Sequence, residues 1–171
     1  MGKLFFSAQG RIGHEEFNKG AVILLAIHFF GWLAWFGGLA MGVIAGLLSF
    51  VLVYCWICLF AKRLHDAGKS GWIYLPIFAL FLFGVWILTN IFVAMFAPEI
   101  VDINKEYQQA ILGRPETMED IKEMFKLIER MYQKAAIPMA ISFLPTGALI
   151  AFGVNARLRS DPNDNQYGPA A

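Results

Sequence analysis

The residue types best suited to chemistry sit in one run, Lys62-Arg63-Leu64-His65-Asp66-Ala67-Gly68-Lys69-Ser70-Gly71-Trp72. His65-Asp66 joins a proton carrier to a carboxylate, as many phosphohydrolase and metal sites do. A metal site needs three or more converging ligands, and the remaining histidines are only His14 and His28, so no metal is assigned. Gly68-Lys69-Ser70 has the ending of a phosphate-binding loop. That loop requires a further glycine five positions before Gly68; Arg63 stands there, and the nucleotide reading fails. Two readings remain. Arg11, Arg63 and Asp66 would pair at a membrane boundary and hold the N-terminal segment against the loop, with Gly68 and Gly71 permitting the turn. Alternatively Lys62, Arg63, His65, Asp66 and Lys69 would form a lipid- or partner-binding loop, each cation near an anionic surface contributing about 1 kcal/mol.

Other reactive types are weaker candidates. Cys55-Trp56-Ile57-Cys58 has redox spacing but lies within an apolar run, far from the helix N-terminus or cation that would make a thiolate. Both cysteines are therefore expected to serve packing. His28 and Asn90 are the main polar groups inside apolar segments. Ionisable groups at membrane depth suggest function, yet one imidazole and one amide make no proton path. A neutral His28 hydrogen-bonded to a neighbouring helix is the simpler expectation.

The elements that must position these residues are membrane spans. Of 171 residues 58% are hydrophobic and 16% charged, against roughly 25% charged in a soluble domain. Mean hydropathy is +0.55. The formal net charge of +1 excludes the concentrated basic face of a nucleic-acid binder. Apolar runs at about 21–40, 41–61, 73–97 and 135–154 each approach the ~20 residues that cross the hydrocarbon. The last is interrupted by Pro138, Pro145 and Gly147. Glycines near Gly37, Gly38 and Gly42 give spans one and two a tight uncharged hairpin, and Trp72 and Tyr74 suit an aromatic belt. The expected fold is an all-α integral membrane protein, a single membrane domain over residues 1–171 with four spans, and at least three. The start MGKLFFSAQGR lacks the apolar core of a secretory signal.

Residues 98–134 carry eight of the 13 acids and six of the 14 bases and read as an extramembrane helical hairpin. Thr117 and Asp120 have capping-box spacing. Ile121, Met124, Phe125, Ile128 and Tyr132 then recur at helical period, and Ile100, Ile103, Tyr107 and Ile111 repeat the pattern more weakly before Gly113 and Pro115. Lys and Arg in short connections cluster before span one, after span two and in the tail, at Lys3, Arg11, Lys19, Lys62, Arg63, Lys69, Arg157 and Arg159. The positive-inside rule then puts both termini and the basic loop in the cytoplasm and the acidic hairpin outside.

Three separated segments carry a resemblance. Phe6-Ser7-Ala8-Gln9-Gly10-Arg11-Ile12-Gly13-His14-Glu15-Glu16-Phe17 precedes span one, Arg63-Leu64-His65-Asp66-Ala67-Gly68-Lys69-Ser70-Gly71-Trp72 precedes span three, and the tail ends Asn165-Gln166-Tyr167-Gly168-Pro169. Together they resemble the bacterial inner-membrane family catalogued as domain of unknown function 805. Its members look like a Gly-Arg-Ile start, an Arg-Arg-Leu-His-Asp-x-Gly-Lys-Ser-Gly-Trp loop and an Asn-x-Tyr-Gly-Pro ending. Lys62 replaces the usual first arginine, His14 stands where a basic residue is common, and the hairpin with span four intervenes where family members have little. The resemblance implies a small multi-pass inner-membrane protein and brings no established activity.

The functional expectation is a non-enzymatic structural or accessory subunit, without cofactor. Its partners would be membrane lipids, anionic headgroups among them, a membrane protein or further copies of itself, with no nucleic acid and no nucleotide. The alternative is a small transporter or channel using His28 and Asn90. Ranked below is a membrane enzyme on lipid headgroups with His65 and Asp66 as acid and base.

Overall fold

The computed structural model describes residues 2–113, 115 and 117–171. The chain runs through α1 (Gly2–Phe5), α2 (His14–Leu33), a 3-10 turn (Ala34–Gly37), α3 (Leu39–Asp66), a 3-10 turn (Gly71–Ile73), α4 (Tyr74–Phe96), α5 (Ile100–Leu112) and α6 (Met118–Arg157). Among the described residues no strand forms; an isolated bridge joins Asn165 and Gly168. Four of the helices are long and apolar enough to cross a membrane. Exposed leucines, isoleucines and phenylalanines, such as Leu47, Phe50, Leu80 and Phe83, coat their outer faces, as lipid requires.

Three boundaries depart from the sequence reading. First, α2 begins at His14 rather than near Ala21, because Phe17, Gly20 and Ala21 already pack inside. Second, Lys62–Asp66 is the last turn of α3 and not a loop. Third, the second arm of the hairpin and the fourth span are one helix of 40 residues. At ~1.5 Å per residue it runs about 60 Å, twice the ~30 Å hydrocarbon core. Pro138 and Pro145 stay within it. Ser142 Oγ donates to the Pro138 carbonyl at 2.6 Å and Thr146 Oγ1 to the Ser142 carbonyl at 2.8 Å, the back-bonding by which hydroxyls inside a helix meet their own hydrogen-bonding need. Arg114 and Glu116, in the expected hairpin turn, lie outside the described residues.

Helix α6 is the hub, packing on α2, α4 and α5, while α3 packs on α2 and barely touches α4. Small residues allow the close approaches. A Cβ at Gly147 would come within 2.5 Å of Leu25, one at Gly84 within 2.8 Å of Thr146, and one at Gly20 within 2.6 Å of Leu59.

The extramembrane end closes on itself. Thr117 and Asp120 form a full capping box at the start of α6. Lys134 reaches Glu99 at 3.0 Å, and Glu99 is held below its ordinary carboxylate range by its own amide N–H and then by Lys134. Trp35 stacks on Tyr132 at 4.2 Å, tying the first hairpin turn to α6. That turn depends on Gly38, whose φ of 95° only glycine adopts readily.

Candidate functional site

At the opposite end the N-terminal segment, the end of α3 and the tail converge on one carboxylate. The Schellman closure of α3 sets the frame: Lys69 N–H donates to the Leu64 carbonyl at 2.8 Å and Gly68 N–H to the His65 carbonyl at 3.0 Å. Gly68 occupies the left-handed position at φ 66°. The closure leaves Arg63 and Asp66, three residues apart and so on one face, turned into the protein.

Asp66 receives two guanidiniums. Arg63 Nη1 lies 2.6 Å from Oδ2 and Arg11 Nη2 3.1 Å from Oδ1, with all three side chains 1% exposed or less. The tail takes the donors that Asp66 cannot. Arg11 donates to the carbonyls of Asp161, Asn163 and Gly168 at 2.5, 2.7 and 3.3 Å. Arg63 donates to the Leu158 carbonyl at 2.5 Å, to Ser160 Oγ at 3.2 Å and, through Nε, to Asn155 Oδ1. Asn155, fully buried, passes its own amide hydrogens to Asn18 Oδ1 and the His14 carbonyl. The Asp161 N–H returns to the Asp66 carbonyl at 2.8 Å. Buried charge is costly unless its hydrogen bonds are all met, and here no side-chain nitrogen or oxygen that is itself fully enclosed lacks a partner among the described residues.

His65 works on the neighbouring face. Its ring stacks on Tyr167 at 3.9 Å with 5° between planes, and Nδ1 donates to the Gly10 carbonyl at 3.3 Å. Tyr167 is delivered by a tight turn in which Asn165 and Gly168 exchange backbone hydrogen bonds at 3.1 and 3.0 Å, while Asn165 Nδ2 donates to the His65 carbonyl. Adjacent positions on a helix do not face one another, so the His65 ring and the Asp66 carboxylate serve different partners. Asp161 is held below its ordinary range by the Asn163 amide, then by the Asn165 side chain, with Arg11 a lesser cause.

The lipid-facing reading of the cations needs correction. Lys62 and Arg63 are 3% and 1% exposed; the loop presents only Lys69 outward. Lys62 Nζ donates to the Lys3 and Leu4 carbonyls at 2.6 and 2.5 Å, pinning α1 to α3. The aromatic-belt pairing also divides: Trp72 is 76% exposed, whereas Tyr74 is buried against Phe60 and Phe78. Cys55 and Cys58 are buried free thiols in the helix interior.

The two intramembrane polar residues are not brought together. Asn90 is exposed and donates to the Trp86 carbonyl of its own helix. His28 bonds its own helix too, Nδ1 lying 3.0 Å from the Leu24 carbonyl, rather than a neighbouring one as expected; the neighbour instead supplies Phe143, stacked at 4.5 Å. His28 lines a lateral cleft of about 230 Å³ bounded by α2, α3, α4 and α6, which exists because α3 and α4 diverge.

Sequence reasoning missed Asn18, Asn155, Ser160 and Asp161. Nothing local marks Asn18 or Asn155, which look like ordinary helix-end amides. The signal for the tail was its own motif, whose Tyr167 and Gly168 now meet His65 and Arg11.

The fold and this cluster define a class: an all-helical integral membrane protein with four spans, its N-terminal segment, second span and tail clasped by a buried ion pair. The chain belongs to the family described as protein of unknown function (DUF805), whose model matches residues 5–169. Neither a curated protein nor a solved structure matches it.

Proposed function

We propose that this protein is a non-enzymatic accessory subunit of a bacterial inner membrane, built to present its two exposed ends to a partner protein and to anionic lipid. The observation that carries this reading is the state of Asp66. Its carboxylate is wholly enclosed between Arg11 and Arg63, so the most chemistry-like motif of the chain is spent on holding the fold together. The transporter reading has less support, since Asn90 does not line the cleft that His28 lines.

Positively charged connections favour a cytoplasmic clasp end. Lys3, Lys19, Lys69, Arg157 and Arg159 are its exposed cations, and each near a headgroup surface contributes about 1 kcal/mol. At the far end the hairpin leaves Leu112 80% and Met118 70% exposed. Apolar side chains at the tip of an aqueous hairpin suit a protein partner.

Purification of the full chain in mild detergent after in-cell cross-linking tests the reading. A stoichiometric partner is expected with wild type and is lost in Leu112→Asp/Met118→Asp. A solitary wild-type protein, or a partner indifferent to the hairpin tip, would contradict it.

A further inference from the structure

The intramembrane cleft holds one feature that packing does not use. The Leu24 carbonyl can only accept, so His28 Nδ1 carries the hydrogen. The neutral ring then has its Nε2 lone pair free, and no hydrogen-bond partner for it exists among the described residues. His28 is 9% exposed, and that residual exposure opens on the cleft it lines. An acceptor left without a donor in hydrocarbon is unfavourable. The hydroxyl of the α3 wall, that of Ser49, is committed to the Gly46 carbonyl at 2.6 Å.

The walls specify more than apolar character. Trp32, Trp56, Phe81 and Phe143 present aromatic surface to the cleft, with Phe81 edge-on to Phe143 and Phe143 stacked on His28. Two of its glycines are not sites of helix contact. A Cβ at Gly31 or Gly46 would meet nothing within 4 Å, unlike the glycines that admit Leu25 or Trp35. These positions keep the slot open. Depth also matters: eleven residues separate Phe17 from His28, about 16 Å along the helix. From the other end the distance is shorter, five residues or about 7 Å to the end of α2 at Leu33. A ring at His28 can therefore keep its tail in hydrocarbon, while an alcohol entering from that side is the competitor to exclude.

We propose that this cleft is a binding site for a membrane-soluble hydroquinone, its phenolic O–H donated to His28 Nε2, its ring against the aromatic walls and its tail leaving between α3 and α4. The proposal goes beyond the accessory-subunit reading and does not depend on it.

Trp32, Trp35 and Trp56 line the cleft, so quenching of tryptophan fluorescence in lipid nanodiscs reports occupancy directly. The probes are a decyl-benzohydroquinone kept reduced, its dimethyl ether, and decanol as competitor. Wild type is expected to bind the hydroquinone saturably and about tenfold more tightly than the ether, one hydrogen bond's worth. His28→Phe, which keeps the stack on Phe143, should bind the two alike. Gly31→Phe, which fills the slot, should weaken the hydroquinone at least as much and serves if the His28 variant fails to fold. Equal quenching by hydroquinone and ether in wild type would overturn the proposal. So would unaltered binding in Gly31→Phe, or decanol displacing the hydroquinone at equal concentration, which would assign the cleft to lipid alcohols.

Discussion

Arg11 and Asp66, 55 positions apart in the chain, meet at 3.1 Å with neither side chain more than 1% exposed. Arg63 completes the cluster, and its geometry implies a strong non-additivity. Removing one member of a buried pair costs about 3–5 kcal/mol because the other charge stays buried and unpaired. Asp66→Ala and Arg11→Ala are each expected to lower stability by that order, and the double variant by much less than the sum. A double-mutant cycle on unfolding in detergent measures the coupling, and additive losses would show that the pair does not act as a unit.

Arg63→Lys should behave almost like Arg63→Ala. The guanidinium donates in several directions at once, to Asp66, Asn155, Ser160 and Leu158, a fork that one ammonium cannot reproduce. Retention of wild-type thermal stability by Arg63→Lys would show that charge alone suffices.

Much of this site is legible in the sequence alone. Arg11, Arg63 and Asp66 could be paired on paper because unpaired charges at a membrane boundary are costly and the three lie at the same end of neighbouring spans. The spans were legible for the same physical reason: lipid requires long apolar runs. What hid was direction and continuity. Nothing in the order Lys62-Arg63 tells which side chains turn inward; that depended on the Schellman closure at Gly68. The 40-residue α6 was obscured by two prolines and by the change from polar to apolar composition at Ala135, which alters the solvent around a helix without ending it. The lateral cleft follows from how far α3 and α4 diverge, a tertiary quantity with no local signature.

The stack of His65 on Tyr167 predicts a graded response in the tail. Tyr167→Phe keeps the ring and should retain the turn, whereas Tyr167→Ala removes a contact of about 0.5–1.5 kcal/mol and should speed proteolysis after residue 160. Identical cleavage of the two variants would remove the stack from the account.

Acid should loosen the tail. Asp161 is held below its ordinary value, first by the Asn163 amide, so the folded state favours the carboxylate. Its contribution is whole above the unfolded value of about 3.9 and is lost as pH falls through the folded one. Lowering pH below about 4 should therefore raise proteolytic access to the tail, and Asp161→Asn should flatten that part of the profile. An Asp161→Asn profile parallel to wild type would contradict the assignment.

The central claim is that Asp66 clasps the N-terminal segment and the tail to the end of the second span. Amide hydrogen exchange over residues 158–168, compared between wild type and Asp66→Asn in the same lipid, tests it most directly. The Asp161 N–H sits on the Asp66 carbonyl, and the Arg11 fork holds the Asn163 and Gly168 carbonyls beside it. Loss of protection across the tail in Asp66→Asn, with the apolar middle of α3 still protected, is the result expected. A tail equally protected in both proteins would show that the ends are held by something other than this carboxylate.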